Sequence, residues 1–282
     1  MSIPKIQKEW RVVQGHPGFE SLKLNTQAPV PTLGDTDVLV RFHAAALNYR
    51  DLAIAQGKFP FGFEDNVVPG SDGAGEVVAV GPRVTRFNIG DRVATLFNQG
   101  HLAGSLDQRS VATGVGGTVD GFAKAVGARV IATTSTKEKE DRLKQLGADH
   151  VINYKEQANW GEIAKELTGG RGVDHVIEVG GLKTMAQSLK SIRIDGLITI
   201  VGFIGGDSEK QPSFLDVLSN ICTVRGLLVG SRLQFEEMNR AVVAKDIHPV
   251  VDKQVYDLDH VPEAFQYIWE QRHFGKVVVS ID

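Results

Sequence analysis

Short β-branched runs broken by glycine and proline fill the chain from Lys8 to about Thr113. Three of them, VLVRFHAAAL (38–47), GAGEVVAVG (73–81) and GDRVATLF (90–97), are bounded as strands are and predict a barrel-like or sandwich-like β domain. One helix interrupts them. NYRDLAIAQG offers Asn48 as N-cap with Asp51 three residues on, Leu52, Ile54 and Ala55 as apolar positions inside, and Gly57 as the stop.

From Ala128 onward the pattern changes to strand, loop, helix, strand. ARVIATT leads into the charged helix KEKEDRLKQLG, DHVINY into NWGEIAKELTG, and GVDHVIEVGG into KTMAQSLKSIR, while GLITIVGFIGG and TVRGLLVGS complete five short strands, apolar on both faces and bounded by glycine. Strands of this kind alternating with helices of about 10 residues predict a parallel sheet covered on both faces. The tail carries one amphipathic helix, starting near Pro262, and an alternating strand at its end. No internal repeat or low-complexity linker is present.

Composition narrows the class. At 282 residues the chain has room for two domains at about 150 residues each. It can bury roughly 70 to 75% of its unfolded surface, so it needs no disulfide or metal staple. With 31 basic against 34 acidic residues and a net charge of -3, neither a nucleic acid nor an anionic membrane is an expected partner. Cys222 is the single cysteine, which excludes an intramolecular disulfide and a four-cysteine zinc site and fits a reducing compartment. The N-terminal MSIPKIQKEW lacks an apolar core of signal-peptide length, and no stretch approaches about 18 consecutive apolar residues. The expectation is a soluble, cytoplasmic protein.

A β domain with LNYRD, VPGSDGAGEVVAVG and GDRV, followed by parallel strands with LGADHVINY, GVDHVIEVGG and a closing GKVVVSI, resembles the medium-chain dehydrogenase/reductase superfamily. Within it, the chain looks most like the branch of alcohol dehydrogenase-like proteins and quinone oxidoreductases that lack catalytic zinc. The resemblance implies an α/β fold in which a GroES-like, β-rich catalytic domain (1–121, resumed at 246–282) flanks a Rossmann-like NADP-binding domain (122–245), with the active site in the cleft. It also implies a small-molecule substrate and a homodimer. Zinc-using relatives carry a cysteine where this sequence has Asn48 and a His-Glu pair where it has Ser71 and Asp72. A catalytic zinc takes about three Cys, His or carboxylate ligands, and one Asp does not supply them. No metal is expected.

Dinucleotide folds that favour NAD carry an acid at the end of the second strand, about 20 residues after the first glycine. Here ARVIA ends in TTSTKEK, with no acid until Glu138. Ser135 and Thr136 present hydroxyls at a helix N-terminus and Lys139 lies one turn on, a setting that suits the extra phosphate of NADP over NAD. Ser135 also reads as an N-cap with Glu138 as its capping-box partner, and Lys137 and Lys139 as surface charges; the two readings are compatible. The resemblance adds Tyr154 to the same adenosine phosphate pocket, against a plain packing role. Ligands of open parallel sheets lie at the carboxyl ends of the strands, which here are Val179 and Gly180, Gly202 and Phe203, and Leu228 and Val229. In the family a segment like HFGK, with Gly275 and Lys276, closes over the cofactor; by itself Lys276 reads as surface.

Without zinc, a carbonyl or enone oxygen must be polarised by hydrogen bonds and must receive a proton from a side chain or water. Asn48 is the candidate to orient the acceptor and Tyr49 a candidate donor, with Asp51 holding the helix start; solvent can serve as donor instead. The expected activity is zinc-independent, NADP(H)-dependent hydride transfer to or from a small alcohol, aldehyde, quinone or enone.

One stretch departs from the family. There a strand, a glycine-rich turn and a whole helix precede FAKAVGARV, whereas here DG (120, 121) runs directly into FAKAVG, which resembles only the last turns of that helix. The lost piece is roughly 30 residues or more. In the 3-2-1-4-5-6 strand order the lost strand is central, so its neighbours are expected to expose unpaired edges in mid-sheet. A substitute built from Val111–Thr113 as strand, Gly114, Gly116 and Gly117 as turn and 118–126 as helix is disfavoured by the polar DQRS before it. Gly121 inside the helix adds a cost of about 1 kcal/mol. The alternative expectation is therefore a truncated, catalytically impaired family member with weak or no cofactor binding.

Overall fold

The computed structural model describes residues 3–98, 100–104 and 119–281. In chain order the first half runs β1 (Ile6–Val12), β2 (Leu22–Pro29), β3 (Val38–Ala46), α1 (Tyr49–Ala55), β4 (Asp72–Val80), β5 (Arg92–Ala94), α2 (Val119–Ala125), β6 (Ile131–Thr134), α3 (Lys137–Gln145) and β7 (His150–Asn153). It continues with α4 (Trp160–Glu166), β8 (Val173–Glu178), α5 (Met185–Ser191), β9 (Ile192–Ile200), α6 (Phe214–Asn220), β10 (Thr223–Gly226), α7 (Arg232–Ala244), β11 (Val251–Asp257), α8 (Val261–Trp269) and β12 (Lys276–Ser280). The chain forms two compact units, one of Met1–Gly116, Gly230–Glu237 and Pro249–Asp282, the other of Gly117–Val229 and Met238–His248. Among the described residues no helix is long and apolar enough to cross a membrane.

The first unit is built on a five-stranded sheet in the order β11-β12-β3-β4-β5. The tail completes what residues 38–80 begin: β12 lies antiparallel to β3, with Val278 opposite Ala46, and β11 lies parallel to β12. That register needs Gly275, whose φ is +91° and where a Cβ would stand 2.4 Å from the Val250 carbonyl oxygen. The core is aliphatic and aromatic. α1 buries Leu52, Ala53, Ile54 and Ala55, α8 buries Val261, Ala264, Phe265 and Ile268, and Phe19 sets its edge on Phe265 and Trp269 at 5.7 and 6.2 Å. Each large apolar side chain buried this way contributes about 1.5–3 kcal/mol.

The second unit has all five expected parallel strands, but they form two sheets. β6 pairs with β7, and β8 pairs with β9, which pairs with β10. Among the described residues β6 and β8 each have a strand on one side only. Cover on both faces is incomplete: Ile177 on β8 and Val179 just after it remain 40 and 41% exposed. The three-stranded sheet carries its own core, in which Leu189, Ile192 and Ile198 pack with Val173, Val176, Met185, Val217 and Val224. α2 is the short helix left beside the junction. The substitute strand Val111–Thr113 and the turn Gly114–Gly117 lie outside the described residues.

Candidate functional site

Asn48 caps α1 and is buried. Its backbone N–H donates to Asp51 Oδ2 at 2.9 Å, so the helix start is closed as the sequence predicts. Its side chain looks the other way. The Nδ2 amide donates to Asp72 Oδ2 at 2.9 Å and to Ser71 Oγ at 3.3 Å, and the Oδ1 accepts from Lys276 Nζ. An asparagine amide has two donor hydrogens, and both are committed. Asn48 therefore holds a network together, and has no side-chain hydrogen left over for an acceptor.

Asp51 is fully buried. Burial pushes its carboxyl up to about 6, against the lowering pull of the Asn48 N–H and of Arg50, with Asp72 adding to the rise. Arg50 approaches Asp51 Oδ1 at 3.6 Å and lies over the rings of Phe59 and Phe97 at 5.4 and 5.3 Å. Tyr49 stacks on Trp269 with ring centroids 6.0 Å apart and planes 7° from parallel, and burial raises its phenol above the ordinary value. Lys276, at the start of β12, is only partly exposed; burial lowers its ammonium, while the charges of Asp72 and Asp51 pull it back up. The surface reading of Lys276 is corrected. It arrives through the β12–β3 pairing, 228 positions from Asn48, a contact no local pattern announces.

The donor set does not suit zinc. Asn48, Ser71 and Asp72 offer an amide, a hydroxyl and one carboxylate, and an ammonium already sits on the amide oxygen. Zinc sites use Cys, His and carboxylate ligands. Among the described residues, no group of three or more His, Cys, Asp and Glu lies placed to hold a metal ion.

In the second unit the cofactor candidates gather at strand ends, in two groups. In the first, Tyr154 N–H donates to the Thr134 carbonyl at 2.9 Å, which sets Tyr154 beside Ser135 and Thr136 at one end of the β6–β7 pair. Thr136, not Ser135, is the N-cap of α3; its side-chain oxygen accepts from the Lys139 N–H at 3.3 Å. The cap falls one residue later than expected because β6 runs on through Thr134 and Ser135 is spent on the turn. Lys137 reaches Glu140 and Asp141 at 3.1 and 3.4 Å, an exposed surface cluster. An exposed helix start with two hydroxyls and a lysine offers hydrogen-bond donors to an anion.

The second group lies on the β8–β9–β10 sheet. Ile204 N–H bonds the Val179 carbonyl at 3.1 Å and Gly205 N–H the Gly180 carbonyl at 2.8 Å. Gly202 is required there, since a Cβ would stand 2.7 Å from the Val179 carbonyl oxygen. Leu227 N–H bonds the Ile200 carbonyl at 2.9 Å, which brings Leu228 and Val229 alongside. Val179, Gly180, Gly202, Phe203, Leu228 and Val229 thus share one sheet edge, but that sheet is not the one carrying Ser135, Thr136, Lys139 and Tyr154. Glu178 was not anticipated. Buried at the end of β8, its Oε1 accepts from the Gly181 N–H at 2.9 Å and from Thr184 Oγ1 at 2.5 Å, and its Oε2 from Ser188 Oγ. An acid closing an apolar strand, followed by hydroxyls four residues apart on the next helix, is the signal that could have found it. Its three donors satisfy the buried carboxyl oxygens.

Two family models match the chain: alcohol dehydrogenase GroES-like domain over residues 34–133 and zinc-binding dehydrogenase over residues 114–244. A zinc-type alcohol dehydrogenase-like protein of Schizosaccharomyces pombe is 34% identical over 336 positions, covering 94% of this chain and 96% of its own length. A quinone oxidoreductase-like protein 2 homolog of Nematostella vectensis is 28% identical over 334 positions, covering 98 and 90%. The solved structure of a putative alcohol dehydrogenase from Sinorhizobium meliloti 1021 superposes with a TM-score of 0.85 at 31% identity, over 99% of this chain and all of its own. The shorter of the two alignments exceeds this chain's 282 residues by 52 positions (334 less 282). The relatives thus carry residues for which this chain has no counterpart.

Proposed function

Since the chain belongs to the medium-chain dehydrogenase/reductase superfamily of NAD(P)-dependent oxidoreductases, we propose that it uses NADP(H), without zinc, to interconvert a small alcohol, aldehyde, quinone or enone with its partner redox form. The observation that carries this reading is the cluster of buried Asn48 and Asp51 with half-buried Ser71, Asp72 and Lys276, a polar site furnished with a proton-holding cation and no metal donor set. A bound nicotinamide supplies or accepts the hydride. The chain's own residues do the rest. Asn48 and Asp51 fix the start of α1 and the network built on it, Tyr49 offers a phenol beside that network, and an acceptor oxygen is polarised by hydrogen bonds.

At the adenosine end, Ser135, Thr136, Lys139 and Tyr154 hold the additional phosphate, and the preference for NADP over NAD rests on their donors and on the missing carboxylate. Val179, Gly180, Gly202, Phe203, Leu228 and Val229 line the remainder, and Gly275 sets the backbone from which Lys276 projects. The partners are a small-molecule substrate and a second copy of the chain, and the compartment is the cytoplasm.

Fluorescence titration with NADPH and NADH tests the assignment. NADPH binds in the micromolar range, and Lys139→Glu weakens it about 10- to 100-fold, the worth of a charged hydrogen bond, with NADH changed less than about threefold. Equal losses for both nucleotides remove the phosphate pocket from the account. A second reading is favoured by the split of the parallel strands into two sheets and by the excess length of the relatives: a truncated, catalytically impaired family member. Absence of binding by either nucleotide decides for it.

A further inference from the structure

The sequence leaves open which group gives the proton to the substrate oxygen. The network in the first unit narrows the choice. Asn48 has spent both amide hydrogens on Asp72 and Ser71, and Asp51 accepts from the Asn48 backbone N–H. Tyr49 is stacked flat on Trp269 with its phenol pushed above the ordinary value by burial. Lys276 differs from all three. An ammonium has three hydrogens, and among the described residues its Nζ donates to Asn48 Oδ1. The charged groups that act on it are Asp72 from β4 and Asp51 from α1, and Arg50 stands 3.6 Å from Asp51 Oδ1. The Asn48 amide oxygen holds the ammonium by contact and the charges of Asp72 and Asp51 favour a cation there, in partly desolvated surroundings where its field is strong.

We infer that Lys276 is the donor to the substrate oxygen, held in position by Asn48 and counter-charged by Asp72 and Asp51. This rests on the oxidoreductase reading above. In the reducing direction a bound reduced nicotinamide would supply the hydride to the carbonyl carbon, or to the β-carbon of an enone. The C=O π pair moves onto oxygen, and that oxygen takes one hydrogen from Lys276 Nζ. The N–H bond breaks as the O–H bond forms, Lys276 is left as a neutral amine, and water returns its proton. Burial lowers the ammonium toward the range in which such a transfer is efficient.

Lys276→Met and Lys276→Arg variants of the full chain test this, with kcat at saturating NADPH measured beside the NADPH dissociation constant. The expected result is a loss in kcat of about 100-fold or more for Lys276→Met, with partial recovery in Lys276→Arg and a shifted pH profile. NADPH affinity stays within about threefold. A Lys276→Met enzyme that keeps its kcat, or that loses only NADPH affinity, overturns the inference. A second readout needs neither cofactor nor turnover: nitrogen-15 NMR of lysine-labelled wild-type chain. A protected, protonated Lys276 resonance at neutral pH that disappears in Lys276→Met and moves in Asn48→Ala supports it. A neutral amine, or an ammonium exchanging as fast as surface lysines do, overturns it. Should the wild-type chain bind no nucleotide, the functional reading fails and the NMR result alone decides the role of Lys276.

Discussion

Asp51 shows what a single buried carboxyl does to this molecule. Its carboxyl is raised to about 6 from a free value of about 3.9, a difference of about 3 kcal/mol at 1.36 kcal/mol per pKa unit. The folded state therefore binds this proton more tightly than the unfolded chain does. The resulting stability is fully present below about pH 4 and is lost as pH rises through about 6. Asp51→Asn removes the titration but keeps the side chain's shape. The stability gap between wild type and variant should therefore shift by about 3 kcal/mol in the variant's favour between pH 4 and pH 7, as read by urea unfolding at each pH. A gap that does not change with pH refutes the buried-acid account. Asn48 and Asp51 were legible as a cap and its partner because both sit in one helical turn. Lys276 was not, because it sits on β12 and its partner Asn48, the cap of α1, lies 228 positions earlier in the chain.

Elements bounded by glycine and built from β-branched runs were readable, as β3, β4 and the five parallel strands attest. Those without an apolar stripe were not. β11 buries only Asp252, and α6 and α7 bury no residue, so periodicity had little to report. The same absence gives α6 a meaning, for its Phe214, Leu215 and Leu218 are 95, 69 and 69% exposed while Val217 packs on the β9 core. An apolar face of that kind on one short helix is what a partner surface leaves uncovered. The proposed homodimer is expected to use it. Light scattering should give two copies per particle for the wild-type chain and one for a Phe214→Glu, Leu218→Glu double variant; a wild-type monomer or an unchanged dimer in the variant contradicts the assignment.

For the molecule as a whole, the family was legible from ordered motifs spread over nearly the whole chain; the described parallel strands form two sheets, β6–β7 and β8–β9–β10, while the candidate substitute for the central strand lies outside the described residues. What the sequence did not convey is how completely each half fends for itself: the three-stranded sheet has its own apolar cluster, and the β6–β7 pair keeps Ile152 and Thr134 buried. The central claim is hydride transfer by this chain without a metal. NADPH deuterated at the transferable position, mixed with purified, chelator-treated protein and a small enone or quinone, tests it most directly by mass spectrometry of the product. The account predicts deuterium in the product, at a rate that chelation leaves unchanged and that Lys276→Met lowers. A product without deuterium, or transfer that returns only when zinc is restored, contradicts it.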